Sequence, residues 1–373
     1  MTVQPLGYGV LPAIVTLFFV VFAPAAVAQD DQSLREQVYD TDLPLAQRLE
    51  AMQALTGLSP DDDRTYRICI WDLFGRSGPI FQAAKQQRVR LMEYGVDVEM
   101  VPYTSESVMV EELKSATCDA ALMSGLRARL FNRYTGTLDS IGGLIRPQQM
   151  KLALRLMADP RSRDRMVDGE YVVMGIAPGG AGYVFVDDRS INTLAKASGK
   201  RVAVLDYDPT QAEMIAGVGA TPVVTDIVNA PNMFNNGVVD VLAAPLASYE
   251  VLELYKGMSP DGGIIEMPLA QITMQLIGRR DVFPNALAQL VREAFYDNYE
   301  RIRGRLRKET DKVPDKWWID IPADDRREYE KMMQQARIEL RDQGYYSPDM
   351  LTLQRKIRCR TDDTRAECTN PVE

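Results

Sequence analysis

YRICIW, residues 66–71, sets the reading of the whole chain. This short run is rich in β-branched and aromatic side chains, the composition of a buried strand in a parallel sheet. Residues 79–94 follow at helical spacing, with Ile80, Phe81, Ala84, Leu91 and Met92 inward and Lys85, Arg88 and Glu93 outward. VDVEMV, residues 96–101, alternates like a second strand; residues 106–116 read as a second helix and DAALM, residues 119–123, as a third strand. Strands separated by helices of this length imply right-handed βαβ crossovers and a parallel sheet.

The same unit returns downstream. RVAVL (201–205), a helix over 209–217, TPVVT (221–225), a short helix over 231–237 and VDVLA (239–243) repeat the order. Even the third strands correspond, Cys118-Asp119-Ala120-Ala121-Leu122 against Val239-Asp240-Val241-Leu242-Ala243. The sequence therefore predicts an α/β fold of two parallel-sheet lobes, with a hinge between them and helices at the C-terminus. A length of 373 residues suits two such units. Lobe 1 is expected over 65–175 and 246–283, and lobe 2 over 176–245. Between the two units lie a helix over 148–157 and two strand-like runs, 171–176 and 183–186, suited to crossing a hinge. Gly179-Gly180-Ala181-Gly182 lacks the Lys-Ser/Thr of a phosphate loop and precedes a strand, so a hinge or tight turn is expected there.

Residues 29–64 read as an N-terminal helical segment, with Leu34, Val38, Leu45, Leu49, Met52 and Leu55 at helical spacing and a polar break at Asp61-Asp62-Asp63. Residues 284–373 read as C-terminal helices and a cysteine-bearing tail. One amphipathic helix is expected over 285–308. A second, over 324–343, should end at Gly344, with Trp317 and Trp318 pinning it to the body.

The N-terminus reads as an address. An apolar run from Leu11 to Phe22 is followed by Ala26-Val27-Ala28. The run falls short of the ~20 residues that span a bilayer, and the small-x-small triplet fits a signal peptidase. Residues 1–28 are thus expected to be a cleaved export signal. The absence of Lys or Arg before Leu11 keeps a retained anchor as the alternative. In an oxidising compartment, Cys359 and Cys368, neighbours in a polar tail, are expected to form a disulfide. Cys69 and Cys118 sit in apolar strand-like runs, either as buried small side chains or as a second bridge.

Composition removes several classes. A net charge of −9 opposes nucleic-acid binding. The chain has no histidine, and so lacks the usual general base of Ser and Cys hydrolases and the commonest zinc ligand. No later segment is apolar enough to cross a membrane.

In open α/β sheets ligands lie beyond the carboxyl ends of the strands. That rule selects Asp72 to Gly78, including Phe74, Arg76 and Ser77; Tyr103-Thr104-Ser105; and Ser124 to Arg127. On the other lobe it selects Asp206-Tyr207-Asp208, Asp226 and Ala244-Pro245. Ser77 and Gly78 precede a helix whose free N–H groups would favour an anion, with Ser77 also able to act as a simple N-cap. Arg76 and Arg127 can grip a carboxylate through paired hydrogen bonds. Asp206 and Asp208 would put negative charge on the opposite wall. Arg129 and Arg133 suit a solvated helix face or salt bridges.

Several runs carry a resemblance. Ser77-Gly78-Pro79-Ile80, Cys118-Asp119, Ser124 to Asn132 (SGLRARLFN) and Thr135 to Leu144 (TGTLDSIGGL) resemble the AdeT-type solute-binding proteins, which are similar to the periplasmic receptors of TRAP transporters. So do Asp187 to Asn192 (DDRSIN), Gly199 to Asp208 (GKRVAVLDYD), Phe234 to Asp240 (FNNGVVD) and the tail with Cys359, Glu367 and Cys368. The resemblance covers nearly the whole chain after residue 28. It implies a bilobal periplasmic receptor of the type II binding-protein class, without catalysis or cofactor. Such a receptor closes on a small, acidic ligand and presents it to membrane transporter subunits. TRAP receptors hold organic acids through an arginine, assigned here to Arg127. Arg76, Ser77, Tyr103, Phe74, Ser124, Asp206, Tyr207, Asp208, Asn235 and Pro245 complete the expected ligand set, and a monomer is expected. The alternatives are an accessory protein of an efflux or lipid-transport system, favoured by an elongated apolar cleft, and an enzyme on the same fold.

Overall fold

The computed structural model describes residues 1–2, 25–59 and 63–373. Residues 3–24, most of the expected export signal, and Asp61 and Asp62 of the polar break lie outside the described residues. Among the described residues eleven strands form one sheet: β1 (Thr65–Trp71), β2 (Asp97–Tyr103), β3 (Ala120–Ser124), β4 (Val167–Asp168), β5 (Tyr171–Val186), β6 (Arg201–Leu205), β7 (Thr221–Thr225), β8 (Val241–Pro245), β9 (Gly263–Ile265), β10 (Ala270–Arg279) and β11 (Trp318–Ile319). The main path runs β2-β1-β3-β10-β5-β8-β6-β7. β1 pairs in parallel with β2 and β3, and β6 in parallel with β7 and β8, the two expected repeats.

The sheet as a whole is mixed rather than two parallel sheets. β10 runs antiparallel to β3 and β5, and β5 antiparallel to β8. The reason is topological: β5 and β10 carry the chain between the two halves, so each lies against a repeat with its direction reversed. β5 is also one sixteen-residue strand, where two runs and a turn were expected. Its register against β10 shifts between Ile272 and Thr273, opposite Gly180 and Pro178, and Gly180 takes φ +95°. Without a Cβ, that backbone is accessible at no steric cost, so the glycine run bends the strand as a bulge and does not end it.

Helices cover both faces of the first half. Cys69, Trp71, Ala121 and Met123 pack with Met109 and Leu113 of helix Glu106–Lys114 and with Met150 and Leu154 of helix Pro147–Ala158. Ile68, Ile70 and Leu276 point the other way, onto Phe81, Leu287 and Leu290. This is the two-residue alternation of a strand between two helical layers. In the second half, Phe185, Leu242 and Phe234 enclose Trp317, while Val186, Val202 and Val241 pack with Ile319. Trp317 thus belongs to the second-half core, and the Trp318 ring meets Tyr183 edge-on at 5.4 Å.

Two helices expected as continuous are each broken. Residues 285–308 divide into Asn285–Asp297 and Tyr299–Thr310, and residues 79–94 into Pro79–Lys85 and Arg88–Glu93. Cys359 and Cys368 are bridged as expected. Cys69 and Cys118 form a second disulfide, which decides between the two readings of that pair and ties β1 to the approach to β3. The tail is docked by charge: buried Arg358 donates to Glu367 at 2.8 and 2.6 Å and to Glu373 at 2.7 Å. Against the upward push of burial, Arg358 and Arg365 hold the Glu367 carboxyl down at about 2. Among the described residues no helix is long and apolar enough to cross a membrane.

Candidate ligand-binding site

A cavity of about 1040 Å³ is lined from both halves of the sheet. Leu73, Phe74, Leu122 and Ser124 come from the first repeat, Leu205, Asp208 and Pro245 from the second, and Pro178 and Ile272 from the crossing strands. Of the expected ligand residues, Phe74, Ser124, Asp208 and Pro245 line it. Each follows or ends a strand, as the carboxyl-end rule requires.

The expected anion site at Ser77 is already filled by the protein. Asp72, 1 % exposed, follows β1 and accepts N–H bonds from Phe74 at 2.9 Å, Ile80 at 2.7 Å and Phe81 at 3.0 Å. Its carboxylate thus occupies the helix start at Pro79, where the free amides of a first turn need an acceptor. Gly78 is the N-cap, with no side-chain cap. A Cβ there would lie 1.7 Å from Asp72 Oδ1, so only glycine lets the carboxylate approach. Ser77 is exposed and turns its hydroxyl back to the Phe74 carbonyl at 3.3 Å, and Arg76 is exposed beside it.

Arg127 lies off the cavity wall. Its guanidinium stacks on Tyr207, 3.5 Å from the ring centroid, and its Nε sits 3.9 Å from Glu106. The stack joins the turn after β3 to the turn after β6, hence one repeat to the other. Glu106 is buried and accepts the Ser124 N–H at 2.6 Å; burial pushes its carboxyl up to about 6. Burial raises the Tyr207 hydroxyl strongly as well, with Glu106 adding to the effect. Asp139 accepts from Thr273 N at 3.0 Å and Thr273 Oγ1 at 2.6 Å, and burial lifts it to about 7. Arg129, expected on a solvated face, stacks on Tyr345 at 4.2 Å, while Arg133 donates to the Gly344 carbonyl at 2.9 Å.

The remaining expected residues have other partners. Tyr103 is half-buried against the first core. Asp206 is exposed and borders a shallow surface hollow with Asp226 and Asn229. Asn235 ties a loop, donating to the Leu252 carbonyl at 3.0 Å and accepting from Gly257 N at 3.3 Å. Asp208 lines the cavity, but its oxygens are taken by Thr210 and, at 3.1 Å, by Gln211.

Leu126, within the Ser124–Arg127 stretch the strand-end rule selected, also lines the cavity; the rule passed over Met214, Ile272 and Met274 in the wall, and Arg90, Arg301 and Arg305 at its edge. The arginines had a legible signal. In YERIRGRLRKET, residues 299–310, Arg301 and Arg305 stand one turn apart beside Ile302 and Leu306.

The sequence profile described as solute-binding protein AdeT 1/2 matches residues 80–373. The chain belongs to the AdeT1/2 solute-binding protein family. It is 39 % identical over 299 residues to the probable solute-binding protein AdeT1 of Acinetobacter baumannii, covering 80 % of this chain and 98 % of that one. The AdeT2 protein of the same organism is 26 % identical over 233 residues, covering 62 % and 98 %. In fold the chain is similar to TRAP periplasmic solute-binding proteins. The one from Desulfovibrio salexigens with bound orotic acid superposes with a TM-score of 0.65 at 16 % identity, over 79 % of this chain and 99 % of its own. The one from Ralstonia eutropha with bound (S)-2-acetolactate gives 0.65 at 12 % identity, over 79 % and 99 %. At these identities the likeness is one of fold.

Proposed function

We propose that this chain is an exported, non-catalytic receptor of the periplasm that captures an acidic ligand in the cleft between its lobes and hands it to a membrane transporter. The observation that carries this is the 1040 Å³ cavity lined from both sheet repeats of an AdeT-family chain. A ligand there touches both lobes and favours the state in which they are closed. The organic acids bound by the fold neighbours support the acidic character of the ligand. In this reading Arg127 latches the lobes through Tyr207, where the resemblance had assigned it to the ligand.

Native mass spectrometry of protein purified from the periplasm should reveal a co-purified acid, and solution scattering should show a smaller radius of gyration with that acid restored. An unchanged profile at saturation refutes closure. Arg127→Met should fold, shift the lobes further toward the open state and weaken binding several-fold, since an arginine–aromatic stack contributes about 0.5–2 kcal/mol. A folded Arg127→Met protein with wild-type scattering and affinity removes both the latch and the anchor role.

A further inference from the structure

We propose that the ligand is an anionic amphiphile, a single apolar chain lying in the cavity with its acidic head on Arg90, Arg301 and Arg305. This deepens the receptor reading and rests on it. The volume is the first reason: about 1040 Å³ stands at the upper end of the roughly 300–1,000 Å³ of drug-sized sites. A small hydroxy or keto acid would leave most of it unfilled.

The second reason is the wall. Ile80, Leu122, Leu126, Ile272 and Met274, with Met214 from the second half, belong to a wall that is mostly hydrocarbon. The acidic groups on that wall are engaged: Asp72 by three backbone amides, Asp139 by Thr273, Asp208 by Thr210 and Gln211, and Glu309 by Lys312 at 2.8 Å. A short hydrophilic acid placed deep inside would lose its water and face carboxylates, and burying a charge without a partner is costly. A hydrocarbon chain has no charge to desolvate there, and the gain per buried methylene outweighs the cost of ordering it.

The third reason is where the cations lie. Arg90, Arg301 and Arg305 line the cavity edge and are solvent-exposed. Arg301 donates to Asn298 Oδ1 at 3.0 and 2.9 Å, and Arg305 to Gln86 Oε1 at 3.0 Å. Among the described residues none of the three forms an ion pair. On the other face of the same helix Arg303 is paired with Glu300 and Arg307 with Asp311. Arg301 also feels the like charges of Arg305 and Arg90, which after burial are the causes that lower its pKa. Three neighbouring guanidinium groups without a counter-ion, at the wet rim of an apolar cavity, match a head that stays hydrated while its chain is buried.

The test is calorimetric titration of the delipidated mature protein with saturated fatty carboxylates of about eight to about sixteen carbons, below their micelle concentrations, with affinity expected to rise about fourfold per methylene until the cavity is filled. Succinate should bind far more weakly, and the uncharged alcohol of equal chain length should fall at least tenfold below its carboxylate. The surface double variant Arg301→Gln/Arg305→Gln should weaken every chain by roughly tenfold with the chain-length slope unchanged. Met214→Glu should weaken long chains more than short ones. Tight succinate binding with no gain from chain length overturns the amphiphile and leaves the receptor intact. A chain-length slope indifferent to the arginine variant overturns the head site. Binding of neither class of acid overturns this inference and the acidic-ligand reading together.

Discussion

Asp72→Ala should loosen the cavity wall locally without unfolding the protein. The carboxylate is the acceptor for the amides of Phe74, Ile80 and Phe81. The Phe81 bond is buried and the other two are part-buried, where water can substitute in part. Leaving one buried donor unsatisfied costs about 1–3 kcal/mol. One full loss and two partial ones give about 3 kcal/mol, which is roughly 150-fold faster amide exchange if opening is local. The assay is hydrogen exchange at Ile80 and Phe81, whose N–H groups reach Asp72 and no backbone carbonyl. Asp72→Asn should show an intermediate effect, since its one carbonyl oxygen can still accept. Ligand affinity should fall in both variants, because Phe74 and Ile80 line the cavity. A folded Asp72→Ala protein with exchange at both amides within twofold of wild type would refute the account of this helix start.

Two further outcomes are expected. Burial raises Asp139 from 3.8 to about 7 and Glu106 from 4.5 to about 6, so the native state holds these protons more tightly than the unfolded chain. Their contribution is therefore greatest in acid and is lost as pH rises through these folded values: stability should fall by about 3–4 kcal/mol between about pH 5 and about pH 8. Urea midpoints check this, and Asp139→Asn should flatten most of the slope; a wild type equally stable at both pH values would contradict it. Of the two disulfides, Cys69–Cys118 spans 49 residues and Cys359–Cys368 spans 9. On the chain-entropy model, replacing the first pair by alanine should cost about 4 kcal/mol and the second about 2.5. Denaturation of the two double variants reads the difference, and a larger loss from the tail pair would reverse the ranking.

Periodicity in the sequence was enough to establish the two repeats, because strand and helix periods differ and each βαβ crossover has one hand. YRICIW and RVAVL became β1 and β6, with parallel neighbours in the expected order. The tail disulfide was equally legible, from two cysteines in a short polar segment. The family was legible too, through long runs such as SGLRARLFN. Tertiary structure alone decided how the repeats join. Nothing local distinguishes a glycine run that turns from one that bulges, and pairing along β10 made it a bulge within β5. The same holds for the site. Strand ends select a region, and Phe74, Ser124, Asp208 and Pro245 do line the cavity. Which charge in that region remains for a ligand depends on partners distant in sequence. Asp72 fills the helix start that Ser77 was expected to offer, and Tyr207, from the opposite repeat, takes Arg127. Arg301 and Arg305 reach the same cavity edge as Arg90, more than two hundred positions away in the chain, because helix packing brings them there. A sequence specifies each residue's chemistry; only the fold specifies which groups satisfy one another and which are left for a ligand.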